Sequence, residues 1–187
     1  MLSTEDVLTT VRMLKQQCLD VRTATLGINL QECASGDIDK TCGNVHKKIT
    51  AVAKELCGVC DRLSRKYGIP IVNRRLAITP ATWLLEGDER DAYIKLAKQL
   101  DRSAKSVGID FLGGFTALTG KGLTNGERVY FDVLPEVLTG SDVVCGSVNA
   151  ASTRTGLNVD AILEVSRAIK RTAELTAGAG GFGCAKL

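Results

Sequence analysis

The sequence predicts an α/β fold, and the alternation of segments along the chain is the basis of this prediction. Segments with helical spacing of apolar residues alternate with segments in which apolar residues recur at every second position. A helix that ends in glycine and leads into an apolar strand occurs twice, at Gly68-Ile-Pro-Ile-Val and at Gly108-Ile-Asp-Phe-Leu. Strands joined by helices through short loops form βαβ crossovers, so we expect repeated βαβ units and a largely parallel sheet.

The first part of the chain predicts two helices with a strand between them. Ser3-x-x-Asp6 is a capping pattern, and apolar residues at helical spacing follow it to about residue 19. Apolar residues then alternate with polar ones over residues 24–30, which predicts the first strand. Asp37 caps a stripe of apolar residues that recurs in steps of four and three up to Tyr67, which predicts one helix of about thirty residues.

The middle of the chain predicts two further strands and the helix between them. Gly68 ends the long helix, and a second strand follows and runs out over residues 73–79. A helix over residues 89–107 leads to Gly108 and the third strand. The next segment, residues 126–139, is mixed, with a strand-like part at 129–131 and a helical part at 135–138.

The last part predicts a fourth strand, a helix and the start of another strand. The fourth strand covers residues 142–149, and Asn158 caps a helix over residues 159–175. A glycine-rich loop then leads into Ala185-Lys-Leu, which is typical of the first residues of a strand.

Composition and charge describe an ordinary globular protein with one domain. The chain has 187 residues, 44% hydrophobic and 24% charged, and 24 basic minus 21 acidic residues leave a net charge of +3. No block of five or more like charges provides a footprint for nucleic acid or for an anionic membrane, and neither is expected as a partner. No linker or low-complexity run divides the chain, so we expect a single α/β domain over residues 1–187.

The cysteines and the first residues favour a cytoplasmic location. The beginning of the sequence lacks the basic and apolar regions of a leader peptide, and no run of about 18 apolar residues occurs. The seven cysteines are an odd number and no Asn-x-Ser/Thr sequon is present, whereas a secreted disulfide-stabilised domain would look different.

Polar residues at strand ends predict the binding site, because parallel α/β proteins bind ligands at the carboxyl ends of their strands. The densest group is the run from Asn149 to Arg154, whose hydroxyl, amide and guanidinium groups suit a carboxylate, phosphate or amide ligand. The alternative is that these residues only form the turn and cap the next helix. The predicted substrate-binding residues are Asn73, Arg75, Gly113, Gly114, Ser147, Asn149, Ser152, Thr153 and Arg154.

Cys145 is the candidate catalytic residue, because it is the one plausible nucleophile among these strand ends. No histidine lies near it in sequence to activate it, and no paired-carboxylate or Ser-His-Asp arrangement is visible. The residues therefore leave open whether the protein is an enzyme.

Two glycine patterns resemble nucleotide-binding loops but lack the required context. Gly178-x-Gly180-x-x-Gly183 matches the dinucleotide pattern, yet a helix precedes it where a strand is required. The run from Gly114 to Gly122 has five residues between its first two glycines, where a phosphate loop has four. No cofactor is predicted.

Cys57-Gly-Val-Cys60 raises the possibility of thiol redox chemistry or a metal site. His46 lies eleven residues earlier on the same predicted helix, about 16 Å away, and cannot complete a zinc site. Redox pairs usually lie at a helix N-terminus, whereas this pair is predicted deep inside a helix. Two core-facing residues are the favoured interpretation, no metal site is predicted, and a redox or metal role is the third functional hypothesis.

Four stretches of the chain resemble a known family: Asp20-Val-Arg-Thr-Ala-Thr-Leu-Gly-Ile-Asn, Gly68-Ile-Pro-Ile-Val-Asn-Arg-Arg-Leu-Ala-Ile-Thr-Pro, Gly108-Ile-Asp-Phe-Leu-Gly-Gly-Phe-Thr-Ala-Leu and Val144-Cys-Gly-Ser-Val-Asn-Ala-Ala-Ser-Thr-Arg-Thr-Gly-Leu-Asn. They resemble the domain-of-unknown-function 711 family, often named PFL family protein. The resemblance implies a fold similar to pyruvate formate-lyase and other glycyl radical enzymes, a ten-stranded α/β barrel built from two five-stranded parallel halves.

The same resemblance implies that this chain is the N-terminal half-barrel of a longer protein, because family members are more than twice as long. In glycyl radical enzymes the radical glycine lies near the C-terminus and the catalytic cysteine lies on a loop between the halves. This sequence holds neither region, so glycyl radical chemistry is not expected.

The leading functional hypothesis is that the protein binds or transforms a small polar or anionic metabolite at the strand ends. The alternative is a non-catalytic structural or regulatory subunit that completes its barrel with another chain. Either hypothesis implies a homo-oligomer or a complementing C-terminal half as partner.

Overall fold

The structure, a computed structural model, describes residues 3–17, 21–85, 87 and 89–187. Its helices and strands are α1 Thr4–Lys15, β1 Val21–Ile28, α2 Ile38–Ala53, α3 Leu56–Tyr67, β2 Ile71–Ile78, α4 Arg90–Ser106, β3 Phe111–Leu118, α5 Asn125–Gly140, β4 Val144–Asn149, β5 Ala151–Ser152, β6 Gly156–Leu157 and α6 Val159–Leu175. Short 3₁₀ helices occur at Gln31–Cys33, Ala81–Trp83, Ala177–Ala179 and Phe182–Lys186.

Strands β1 to β4 form one parallel sheet in the order β1-β2-β3-β4. Thr25 pairs with Arg75, which pairs with Phe111, and Gly113 pairs with Cys145. At least one helix separates each strand from the next along the chain, while β5 and β6 form a small antiparallel hairpin. The predicted α/β class, with a parallel sheet and alternating helices, is confirmed.

One face of the sheet packs against the helices and forms the core. Alternate strand residues on this face are buried because they pack against apolar residues of α2, α4 and α5. The main contributors are Leu76, Ile78, Leu112, Phe115 and Val144 from the strands and Val45, Ile49, Leu96, Leu100, Leu134 and Leu138 from the helices.

The predicted long helix is two helices, so the prediction of its continuity was wrong. α2 ends at Ala53 and α3 begins at Leu56. Lys54 and Glu55 keep right-handed helical backbone angles, with φ of -53° and -91°. The apolar stripe therefore continues across the interruption, and no glycine or proline marks it in the sequence.

Residues 129–131, expected to be strand-like, are helical. They lie in α5, which begins with a capping box in which Thr124 accepts the N–H of Glu127 and Glu127 accepts that of Thr124. The ring of Tyr130 stacks on Phe115 of β3, with 5.3 Å between centroids. Burial of this aromatic face against the sheet outweighs the weak preference of such residues for strands.

The end of the chain forms 3₁₀ turns, so the predicted strand beginning at Ala185 was wrong. Gly180 and Gly181 adopt φ of 65° and 74°, which bends the backbone after the first turn. The second turn, Phe182–Lys186, packs against α5, α6 and β4 and buries Lys186.

The first helix is confirmed over Thr4–Lys15, with the predicted Ser3–Asp6 capping box. None of its residues is buried, and Val7, Leu8 and Val11 are exposed. The expected end of this helix near residue 19, together with Cys18, lies outside the described residues.

Candidate functional site

The second face of the sheet, here called the open face, is where most of the predicted site residues meet. Its strand residues alternate with the buried ones, and each is exposed or half-buried. A Cβ atom added to Gly27 in this face would meet no atom within 4 Å. The open face consists of Thr23, Thr25, Gly27, Asn73, Arg75, Ala77, Phe111, Gly113, Thr116, Leu118, Cys145, Ser147 and Asn149.

Arg75 is the one charged side chain among these open-face residues. Its guanidinium carbon lies 5.2 Å from the centroid of the Phe111 ring, in a cation–π contact. It forms no ion pair with any described residue, and its Nε is buried without a hydrogen-bond partner. Its neighbour Arg74 faces the helices and pairs with Asp61. The open face therefore presents a positive charge with no negative charge of its own.

Hydroxyl groups continue the open face toward the carboxyl ends of β3 and β4. The hydroxyl oxygens of Thr116 and Ser147 lie 2.6 Å apart. They line a shallow depression of about 590 Å³, together with Leu118, Asn149 and the α6 residue Ile162. This end of the sheet offers hydrogen-bond donors and acceptors beside an apolar wall, which suits a small polar molecule.

Cys145 lies on the open face near the amino end of β4, where it pairs in register with Gly113. Burial raises the pKa of its thiol, although the nearby Lys186 and Arg75 act in the opposite direction. His46, the sole histidine, lies on α2 and bonds Ser103 of α4 through Nδ1 at 3.0 Å. The geometry therefore provides Cys145 with cationic neighbours and with no histidine base.

Comparison with known proteins places this architecture in a family. A sequence model of the family described as Uncharacterised ACR (DUF711) matches residues 12–187. The chain belongs to the DUF711 family. The resemblance that the four sequence stretches predicted is thereby confirmed.

Relatives of this DUF711 chain carry the name UPF0210 protein. Those from Desulfovibrio desulfuricans and Ruminiclostridium cellulolyticum are 46% and 44% identical over 187 residues, and each match covers 100% of this chain and 41% of the relative. The relative from Methanococcoides burtonii is 44% identical over 183 residues, which are 98% of this chain and 40% of the relative. The chain thus spans about two fifths of the length of the curated relatives it matches.

Several predicted residues of the DUF711 chain lie within strands, away from the carboxyl ends where they were expected. β2 runs to Ile78, so Asn73 falls in its first half and Arg75 lies near its middle, and Gly113 and Gly114 fall in the first half of β3. The strand ends were placed too early because polar and glycine residues were taken as breaks. Ser147 and Asn149 do lie at the carboxyl end of β4.

Gly114 forms a bulge in β3. Its φ is +124°, and an added Cβ would lie 2.4 Å from Cγ1 of Ile78. The register of β3 against β4 shifts between Gly113 and Phe115. The bulge requires glycine for steric reasons, so the sequence signal at this position reflects backbone shape.

The remaining predicted residues, Ser152, Thr153 and Arg154, lie in the exposed β5–β6 hairpin. Ser152 accepts the backbone N–H of Thr155 at 3.1 Å, and Asn158 caps α6 by accepting the N–H of Ala161. These contacts match the alternative that the run forms a turn and a helix cap. The hairpin begins two residues after Asn149, and its first residue, Ala151, lines the depression with Thr116 and Ser147, whereas Ser152, Thr153 and Arg154 do not.

Sequence reasoning missed two residues that shape this region. Lys186 is 6% exposed, donates a hydrogen bond to the carbonyl oxygen of Ser141, and lies near Cys145. No local pattern marks it. The hydroxyl of Tyr130, on α5, contacts the backbone of both β3 and β4. The Thr124–Glu127 capping box was the sequence signal for the helix that carries it.

The interruption between α2 and α3 changes the position of the CxxC pair. Cys57 is the second residue of α3, in the first turn, and Cys60 is buried one turn later. No group of three or more His, Cys, Asp or Glu residues in the described part of the chain could hold a metal ion. None of the helices in that part combines the length and apolarity that a membrane crossing needs.

Proposed function

We propose that the open face is one wall of a site that binds a small polar or anionic molecule, such as a carboxylate or a phosphate. The observation that carries the proposal is Arg75, a half-buried guanidinium with no carboxylate partner among the described residues. A partly desolvated charge is costly until it meets an opposite charge, and a guanidinium binds carboxylate and phosphate oxygens bidentately. Thr116, Ser147 and Asn149 supply further hydrogen bonds on the same face.

The finer fold assignment is part of this proposal: the sheet is half of a ten-stranded barrel like that of pyruvate formate-lyase, and the open face lines its interior. Parallel sheets are ordinarily covered on both faces, and here the helices α2, α4 and α5 pack on one face only. More than half of the length of the UPF0210 relatives lies outside the match to this chain, which is enough to cover the open face.

Titration of the chain with inorganic phosphate, acetate and malonate, followed by calorimetry, tests the site. We expect Arg75→Ala to weaken anion binding about tenfold or more, because the charged hydrogen bonds it loses are worth about 1.5 to 3 kcal/mol. Arg154→Ala removes the same charge from the exposed hairpin and is the matched control, with binding unchanged.

The two variants also identify the outcomes that contradict the proposal. If anion binding is weakened in Arg154→Ala alone, the site lies at the hairpin, as the sequence prediction for residues 149–154 implies. Equal binding by both variants and the parent chain contradicts an anion site at either place. Circular dichroism of each variant establishes that the fold is intact.

A structural or regulatory subunit is the second candidate function, and the free edge of β4 favours it. β4 pairs with β3 on one side and with no described strand on the other. Ile162 of α6, which lines the depression together with Val148 and Asn149 of β4, is 38% exposed. A strand from another chain added to β4 would satisfy the free backbone groups and cover this apolar flank.

Native mass spectrometry tests the half-barrel on which both candidates depend. A homo-oligomer, or a complex with a complementing C-terminal half, is the expected result. A stable monomer of 19.9 kDa contradicts the half-barrel and the subunit together. Anion binding that depends on Arg75 separates the first candidate from the second, because a purely structural subunit needs no ligand.

A further inference from the structure

The opening turns of α3 hold two free cysteines, Cys57 and Cys60, and Cys57 contacts the turn between α4 and β3. We propose that these two thiols form a reversible disulfide, and that its formation releases α3 from the turn between α4 and β3. The inference concerns a surface distinct from the open face and does not depend on the proposed ligand site.

The spacing of the two cysteines permits the bond. Residues three apart in an α-helix have Cα atoms about 5 Å apart, from the helix radius and the rise per residue. Disulfides span Cα separations of about 4.4 to 6.8 Å. The pair lies in the opening turns of α3, where the first backbone N–H groups have no intrahelical partner and distortion is least costly.

In its reduced state, the thiol of Cys57 connects α3 to the turn that follows α4. Its Sγ lies 3.3 Å from the carbonyl oxygen of Val107 and 3.2 Å from that of Gly108, and the S–H donates to these two groups. Val107 is the C-cap residue of α4, so the thiol satisfies carbonyl oxygens that the helix leaves unpaired. The contact is close, because a Cβ added to Gly108 would lie 3.3 Å from the same sulfur.

The turn that Cys57 holds leads directly into the sheet. Asp110 accepts the backbone N–H of Arg74 at 2.7 Å and donates its own N–H to the carbonyl of Arg74. Arg74 in turn pairs with Asp61 of α3. Loss of the Cys57 contact is therefore expected to increase the mobility of the turn at residues 107–110. Strand β3 is expected to stay in the sheet, because its pairing with β2 is unchanged.

The oxidant in this reaction is a small-molecule disulfide such as glutathione disulfide. The Cys57 thiolate attacks one glutathione sulfur, and the other glutathione leaves as a thiolate that takes up a proton. The Cys60 thiolate then attacks the Cys57 sulfur and expels the second glutathione, which is protonated in the same way. Two protein thiols are oxidised, one glutathione disulfide is reduced, and Cys57 loses the proton that it donates to Val107 and Gly108.

The environment of the pair sets the order and the pH dependence of these steps. Cys57 is half-buried and Cys60 is 1% exposed, so the oxidant reaches Cys57 first. Burial raises the pKa of the Cys57 thiol, and the nearby Arg74 opposes this effect, while Cys60, Asp110 and Asp61 act in the same direction as burial. The thiolate is therefore scarce at neutral pH, and oxidation is expected to speed up as the pH rises.

Incubation of the chain with glutathione disulfide, followed by alkylation and mass spectrometry, tests the bond. We expect the mass of two hydrogen atoms to be lost and a Cys57–Cys60 bridge to appear in the peptide map. Cys60→Ser should stop at the glutathione adduct on Cys57, and Cys145→Ser, the matched control, should form the bridge like the parent chain. A bridge between other cysteines, or a persistent adduct in the parent chain, overturns the proposal.

Hydrogen exchange tests the contact of Cys57 with residues 107 and 108 separately from the formation of the disulfide. Oxidation should accelerate exchange of the amides at residues 107–110 several-fold, and Cys57→Ala in the reduced state should reproduce this effect, since it removes the same donor. Cys57→Ser should retain slow exchange because its hydroxyl donates to the same carbonyl groups. A bridge that forms without any change in exchange contradicts the release of the turn.

Discussion

The hydroxyl of Tyr130 donates a hydrogen bond to the carbonyl oxygen of Phe115 over 2.8 Å and lies 3.1 Å from the carbonyl oxygen of Ser147. A single side chain of α5 thus holds β3 and β4 together beside the bulge at Gly114. Burial raises the pKa of this phenol, so the proton stays on the oxygen across the physiological range.

Tyr130→Phe should lower the free energy of unfolding by about 1 to 3 kcal/mol, because it leaves buried carbonyl groups without their donor. Urea denaturation followed by circular dichroism measures the difference. Tyr67→Phe, which removes a hydroxyl from a 40% exposed side chain, is the control and should change stability by less than about 0.5 kcal/mol. Equal losses in the two variants would show that the Tyr130 hydroxyl has no special role.

Gly114→Ala should be among the most damaging single substitutions in the chain. The new Cβ would lie 2.7 Å from the carbonyl oxygen of Ile78 as well as against its side chain, at a φ that L-residues rarely adopt. We expect a loss of about 4 kcal/mol or insoluble protein. Gly178→Ala, where an added Cβ meets no atom within 4 Å, is the control and should express and unfold like the parent chain.

Asp101 should contribute acid-sensitive stability. Burial by itself raises the pKa of this carboxyl, but Lys105 and the N–H groups of Asp142 and Val143 outweigh it and hold the pKa below its ordinary value. A lowered pKa in the folded state means that the contribution is complete above about pH 4 and is lost as the pH falls through the folded value.

Asp101→Asn should therefore lower stability by about 2 kcal/mol at pH 7 and flatten the decline of stability below pH 4. Urea unfolding at a series of pH values measures both effects. Asp160→Asn, at an exposed position in α6, should keep the acid dependence of the parent chain. A variant at position 101 with the full acid dependence would contradict this assignment.

Lys186 should make the stability of the chain increase with pH in the alkaline range. Burial lowers the pKa of its ammonium group, with Cys145 opposing the effect, and its described hydrogen-bond partner is the carbonyl oxygen of Ser141. Between the folded pKa and the unfolded value of about 10.4, the unfolded chain binds more protons, so stability rises with pH.

Lys186→Met should be at least as stable as the parent chain at pH 7, because it removes a buried charge while keeping the volume of the side chain. The difference should shrink as the pH rises toward about 10. Thermal or urea unfolding at neutral and alkaline pH measures it, with the exposed Lys170→Met as control. A loss of more than about 1 kcal/mol at pH 7 would show that the ammonium group stabilises the fold.

Local patterns in the sequence predict much of the fold but not its interruptions. The helix over residues 159–175 has the predicted bounds, and the observed Arg90–Ser106 lies within one residue of the predicted 89–107. The break at Lys54 and Glu55 and the helix around Tyr130 were missed. The Thr124–Glu127 capping box marks the beginning of α5 locally, but the stacking of Tyr130 on Phe115 is a contact distant in sequence. No local residue type marks the break at Lys54 and Glu55.

The sequence by itself determined the α/β class, the order along the chain of the four strands of the parallel sheet, and membership of the DUF711 family, because these depend on periodicity, caps and motif residues that neighbours in the chain define. Only the tertiary structure decided that Arg75 and Cys145 share an uncovered face, that the run from Ser152 to Arg154 forms a separate hairpin, and that Cys57 reaches Gly108. The physical reason is that the register between strands and the packing of helices set which side chains share a face. Register and helix packing both depend on how much apolar surface the whole sheet buries, which no local segment of sequence specifies.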